Sequence, residues 1–278
     1  MTKQGIDRVE LAVICRDADD IPKVQDAGMV LCDSNGQAIQ LMHNGIQVIA
    51  NGYYGRFNTE IVKRLGGHHE PQEERVFHEV LKLVKAGAVM IELGAYWSYY
   101  SLWFHQSISG AINYMVEPVA ESLEARKKNF VLNGFQGHFI HALVGDIQSL
   151  ESQPPTITID GLAKKEGLTK IEILHADIQG HEYAMLLGAK DLLRSKLVRF
   201  IFISTHGFKV HAKCLGFLRK RGYAIIAEHT PAESYSLDGL IVACVDSNIG
   251  KVEVTRKPQN IIERTKSLAC RYLSYFVG

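Results

Sequence analysis

Residues 88–104 read AVMIELGAYWSYYSLWF. Ala88 to Leu93 is a short, almost wholly apolar run with one acid, Glu92, and Gly94 and Ala95 open a second apolar stretch of helical length. The pattern predicts a strand, a tight turn and a helix. A strand that feeds a helix through small residues leaves backbone N–H groups for a nucleotide-like cofactor, and Glu92 is placed to accept hydrogen bonds from it. The spacing is E-x-G-x-x-x-S, closing on Ser98, and differs from the G-x-G-x-x-G of dinucleotide enzymes.

On the amino-terminal side, GGHHEPQEERVFHEVLKLVKAG (residues 66–87) predicts an amphipathic helix. Pro71 suits a first helical position, acids occupy the first turn, Val76, Phe77, Val80, Leu81 and Val84 share a face, and Gly87 is the stop. Residues 1–65 carry β-like runs at 9–15, 29–32, 38–43 and 46–51, with His43-Asn44-Gly45 as a hairpin turn. They read as a β-rich extension joined to the core near residues 55–70. Tyr53, Tyr54 and Phe57 within it form either a lid over an acceptor or a packed hairpin.

On the carboxyl side, residues 112–117 (INYMVE) predict a second strand ending in Glu117, and 119–133 a helix. A third strand spans 138–144 and ends near Asp146; residues 157–168 are a connecting piece. The fourth, 171–176, ends at Asp177 and leads into a helix running from Gly180 to Leu193. The fifth, 198–204, ends at Thr205-His206-Gly207 ahead of another helix. Two more strands, 223–227 and 240–245, are separated by a long loop. Residues 259–276 close the chain as an amphipathic helix with Ile261, Ile262, Leu268, Tyr272 and Phe276 near one face, which packs on its own sheet or makes a homodimer contact. Alternating strand and helix predicts an α/β sandwich with a mainly parallel sheet.

At 278 residues the chain has room for one large domain and a small extension, divided as 1–65, 66–250 and 251–278. A formal net charge of +1 supplies no basic field for nucleic acid or an anionic membrane. No apolar run approaches the roughly 20 residues of a membrane span, and no secretory signal is visible, so the expected location is cytoplasmic. The five cysteines lack C-x-x-C spacing and read as reduced, packed thiols, and no metal site is predicted.

Ligands of such sheets bind outside the carboxyl ends of the strands, where strand order reverses. Glu92, Glu117, Asp146, Asp177 and His206 gather there. Glu117 stands where a carboxylate accepts from both hydroxyls of a ribose; Asp146 either joins it or caps a helix.

IELGAYWSYYS, VEPVAESLEARKKNFVLNG and ITIDGLAKKEGLTKIEILHADIQGHEYAMLLGAKDLL, in that order, resemble the FkbM family of class I S-adenosylmethionine-dependent methyltransferases over residues 66–246. Glu92, Tyr96 and Ser98 stand at the Asp, Asn and final Gly of the family's D-x-G-A-N-x-G loop. Asp177-Ile178-Gln179-Gly180-His181-Glu182 answers its D-x-E-G-x-E segment. The resemblance implies a Rossmann-like seven-stranded sheet in the order 3-2-1-4-5-7-6 and methyl transfer to a hydroxyl of a small molecule or glycoside. It also implies S-adenosylmethionine held by Glu92, Gly94, Tyr96, Ser98, Glu117, Asp146 and Asp177, with Ser98 capping the helix after it. His206, with a near-neutral intrinsic pKa, is the expected general base, with Asp177 positioning the substrate or the imidazole and Glu182 orienting the loop that carries it. The Asp/Asn-Pro-Pro-Tyr/Phe segment of base amino-methylases is absent after the fourth strand, which argues against nucleic acid as acceptor. The alternatives are a nicotinamide-dinucleotide oxidoreductase, disfavoured by the missing glycines, and a binding module of the same fold without turnover.

Overall fold

The computed structural model describes residues 3–52, 54–94 and 96–277. Two helices and a small sheet come first: α1 (Lys3–Ala12), β1 (Val30–Cys32), β2 (Ala38–Leu41), β3 (Gln47–Ile49) and α2 (Arg56–Arg64). Then follow α3 (Pro71–Leu81), β4 (Val89–Leu93), α4 (Tyr99–Ser107), β5 (Ile112–Glu117), α5 (Ala120–Leu132), β6 (His138–His141), β7 (Leu143–Val144), β8 (Thr156–Ile157) and α6 (Ile159–Glu166). The last third holds β9 (Ile171–Ala176), α7 (Glu182–Gly188), α8 (Lys190–Arg194), β10 (Val198–Thr205), α9 (Phe208–Lys220), β11 (Ala224–His229), β12 (Gly239–Cys244) and α10 (Ile261–Leu273).

The central sheet runs β11-β12-β10-β9-β4-β5-β6. Its β4, β5, β6, β9 and β10 pair in parallel, and β12 lies antiparallel between β10 and β11. Because β4 has β5 on one side and β9 on the other, strand order reverses there, and Leu93 is in register with both Val116 and Ala176. The carboxyl ends of β4, β5 and β9 therefore frame a crevice. Successive residues of each strand feed opposite layers. Met90 and Phe202 join Phe77, Tyr99 and Trp103 beneath α3 and α4, whereas Ile91, Leu174 and Ile203 pack on Leu162, Met185 and Leu215 of α6, α7 and α9. Such two-sided burial explains why the strands read as continuous apolar runs.

Four expectations change. Residues 9–15 are not a strand: Val9 and Ala12, three apart, pack with Ile61 and Leu65, and that helical spacing puts them on one face of α1. The third strand stops at His141, because after Ala142 the chain leaves the sheet and β7 pairs with β8, Leu143 N–H donating to Pro155 O at 2.8 Å. The helix expected from Gly180 to Leu193 is two, broken at Ala189. On α10, the apolar face named above points to solvent, and Ser267, Cys270 and Ser274 make the buried side. The hairpin at His43-Asn44-Gly45 forms between β2 and β3, with Gly45 at φ 86°.

The amino-terminal sheet is tied to α5 by side chains that imitate a neighbouring strand. Asn133 accepts from Gln47 N–H at 2.9 Å and donates to Gln47 O at 2.7 Å, and Asn129 accepts from Ile49 N–H at 3.0 Å. An otherwise open edge is thereby satisfied. Met42, Ile46 and Val48 enter the same core as α3 and α4.

Candidate functional site

A cavity of about 410 Å³ lies at the reversal point, bounded by the ends of β4 and β5 and the segment after β9. That size suits a small organic ligand. Val116, Val119, Leu143, Val144 and Ile178 give it apolar walls, and Tyr54 and Tyr96 stack beside it with centroids 5.6 Å apart. Glu117 is its buried carboxylate. It accepts from Val119 N–H at 2.9 Å and forms an ion pair with Arg126, a fully buried side chain that also donates to Val116 O at 3.3 Å. Burial lowers the pKa of Arg126, opposed in part by the carboxylates of Glu117 and Glu92. A carboxylate has about four acceptor positions, so Glu117 retains capacity for a diol while staying compensated.

The turn after β4 contributes less directly than expected. Gly94 and Tyr96 line the cavity, but their N–H groups are engaged, Gly94 with Val116 O and Tyr96 with Gly94 O. At φ 73°, a side chain on Gly94 would meet Asp177 O at 2.0 Å, so glycine there lets the turn press against the end of β9. Glu92 is completely buried behind the cavity wall, its oxygens meet no hydrogen-bond partner among the described residues, and burial raises its pKa. Ser98 is likewise buried, in the left-handed conformation, and its hydroxyl caps nothing: only its carbonyl serves α4, accepting from Leu102 N–H. Asp146 is exposed beyond β7 and stands outside the lining, since the strand meant to carry it ends at His141.

A second cavity of about 220 Å³ adjoins the first, and Tyr54, Asp177 and Gln179 line both. Arg8, Phe57, Glu70, His206, Tyr235 and Asp238 complete much of it. Of the aromatic trio expected in the extension, Tyr54 and Phe57 are here; Tyr53 lies outside the described residues, as does Ala95. His206 is held from both ring nitrogens. Nδ1 lies 2.6 Å from Oε1 of the fully buried Glu182, which also accepts from Gly180 N–H at 2.9 Å. Nε2 faces Asp177 at 3.3 Å and Asp238 at 3.5 Å.

Burial and neighbouring charges shift both His206 and Asp177. Burial pushes the His206 pKa down, but the Glu182 hydrogen bond and the charges of Asp238, Asp177 and Glu182 outweigh it and lift the group to about 9. This environment favours the protonated imidazole. Asp177 is shifted upward too: burial, then repulsion from Glu70, Asp238 and Glu73, raise it to about 7 against the pull of His206. Asp238 rises to about 6, chiefly through burial. A carboxylate that titrates near neutral pH beside a fixed imidazolium is suited to accept a proton and have its new state stabilised.

Of the residues named from sequence, Glu117, Asp177 and His206 lie on the cavity walls and Glu182 stands behind His206, whereas Arg126, Asp238 and Glu70 were not named. Arg126 was detectable, since Leu123, Arg126 and Phe130 fall on one buried stripe of α5, where a lone cation needs a partner. Asp238 precedes β12 in a long loop with no periodicity to mark it.

Residues 79–225 match the family described as the methyltransferase FkbM domain. No curated protein matches. Similar solved structures include a protein of the NADB-Rossmann superfamily from Streptococcus agalactiae, 13% identical over 64% of this chain and 69% of that one, with a TM-score of 0.41. TrmK of M. capricolum, in complex with S-adenosyl-homocysteine, is 17% identical over 64% of this chain and 70% of its own, with a TM-score of 0.40. A SAM-dependent methyltransferase from Aquifex aeolicus is 11% identical over 61% and 89%, with a TM-score of 0.41.

Proposed function

The chain belongs to the FkbM family of S-adenosylmethionine-dependent methyltransferases, and from that premise we propose that it methylates a hydroxyl oxygen of a small molecule or sugar. The observation that carries this reading is the position of Asp177, on the wall shared by the two cavities.

The residues of the larger cavity fit the donor. Glu117 would take the ribose hydroxyls, the apolar walls the adenine, and Tyr96 with Tyr54 the open side. Bound there, the donor supplies an electrophilic methyl on a sulfonium. The protein aligns the acceptor with that methyl and weakens the acceptor's O–H bond. Asp177, ionised above about pH 7, takes the hydroxyl proton. His206 stays charged, donates toward Asp177 and Asp238 and fixes the orientation of the new carboxylic acid, while Glu182 locks the ring through Nδ1. Tyr54, Phe57 and Tyr235 supply apolar surface for the acceptor, and Glu70 and Asp238 supply acceptors for its other hydroxyls.

The test is calorimetric titration with S-adenosylmethionine, S-adenosylhomocysteine and NAD, followed by incubation with hydroxylated acceptors and an isotope-labelled methyl donor. Binding of the two adenosyl compounds, weakened by Glu117→Ala, and a product resonance at the O-methyl position are expected. A labelled N-methyl or C-methyl product would refute hydroxyl transfer, and NAD binding in place of the adenosyl compounds would refute the assignment of the larger cavity.

A further inference from the structure

The closing helix is built inside out. Its buried side is polar: Arg271 donates from Nε to Glu228 at 2.9 Å and pairs with Glu233, Ser267 meets Thr230 at 2.7 Å, and Ser274 accepts from Arg219 at 2.6 Å. A side chain on Gly216 of α9 would meet Val277 O at 1.9 Å, so the residues that follow α10 press directly on α9. The outward side is apolar. Ile261, Leu268, Tyr272 and Phe276, spaced by sevens and fours, are between 60% and 86% exposed, and Ile262 and Leu273 widen the strip. At roughly 100° per residue, Arg264 and Lys266 flank this strip on opposite sides, and both are exposed. The one acid of α10, Glu263, is turned to the Asn260 N–H and Lys257.

Two occupants would cover such a face: another protein surface or a bilayer. A helix of this length offers a strip on the order of a few hundred Å², against roughly 800 Å² that each partner of a stable dimer buries. An apolar strip between two cations, with aromatic side chains and no outward acid, is complementary to anionic headgroups over acyl chains. No described helix is long and apolar enough to cross a membrane, and a surface-lying helix needs no such length. We propose that the outward face of α10 is a docking surface for an anionic lipid bilayer, with its apolar side chains entering the acyl boundary and Arg264 and Lys266 engaging lipid phosphates.

The experiment is co-sedimentation of the full chain with vesicles of phosphatidylcholine alone and of phosphatidylcholine with phosphatidylserine. Pelleting with the anionic vesicles only, weakened by salt, is expected. Arg264→Glu with Lys266→Glu should lower the apparent affinity by at least roughly tenfold, and Tyr272→Glu with Phe276→Glu should abolish pelleting. Leu268→Gln, a single neutral change at an exposed site, should weaken it without altering the thermal midpoint. Absence of pelleting, equal pelleting with neutral vesicles, or a dimer in sedimentation equilibrium that the Tyr272 and Phe276 changes disperse would each overturn the proposal.

Discussion

The two adjoining cavities treat buried charge in opposite ways. In the larger one the buried carboxylate of Glu117 is matched by Arg126 and a backbone N–H, so its charge is compensated before any ligand arrives. In the smaller one Asp177, Asp238 and Glu182 face the His206 ring, Arg8 and a His69–Glu70 pair also stand on the wall, and burial, with repulsion among the carboxylates added, raises Asp177 to about 7 and Asp238 to about 6. A paired carboxylate keeps its charge readily; carboxylates crowded together in a buried site have their pKa values raised.

The largest effect expected from this contrast is structural. Arg126→Met leaves Glu117 buried without its cation, and removal of one member of a buried pair costs about 3–5 kcal/mol. Thermal denaturation should show a midpoint lower by roughly 10 °C, largely recovered when Glu117→Gln is added. An unchanged midpoint in the single variant would break the comparison.

Next is Asp177→Asn, which removes a half-buried carboxylate without changing the size of the side chain. Turnover should fall about 10²- to 10⁴-fold, while S-adenosylhomocysteine affinity and thermal midpoint stay close to the parent. Lost folding with retained specific activity would mean that Asp177 is structural.

A smaller effect concerns pH. Turnover should rise through about pH 7 as Asp177 ionises and fall above about pH 9 as His206 loses its proton. His206→Gln should remove the alkaline limb and keep the acidic one. A profile that instead rises with an apparent pKa near 9 would restore His206 as the base.

The smallest effect is on stability. The folded-state pKa of His206 lies above its ordinary value of 6.5, so the native state binds the proton more tightly than the unfolded chain. This contribution is fully present below about pH 6.5 and is lost as pH rises through about 9. The difference in midpoint between the parent and His206→Gln should narrow over that interval.

The sequence by itself determined the α/β class, the positions of strands β4, β5, β9 and β10, and the acids or histidine that end three of them. Apolar runs broken by acid and glycine are local signals, and two-sided burial of a parallel sheet writes them directly into the chain. It also marked Glu182 beside the loop it braces. Only the tertiary structure decided which charge meets which. Arg126 compensates Glu117 because α5 folds back over β5, and Asp238 reaches His206 because β12 inserts between β10 and β11. It also turned the apolar stripe of α10 outward, since the polar stripe had Glu228 and Glu233 to satisfy. Protonation state follows from such encounters and from depth, both of which depend on groups far apart in sequence. The raised pKa values of Asp177 and His206, which their intrinsic values do not foretell, come from the fold for that reason.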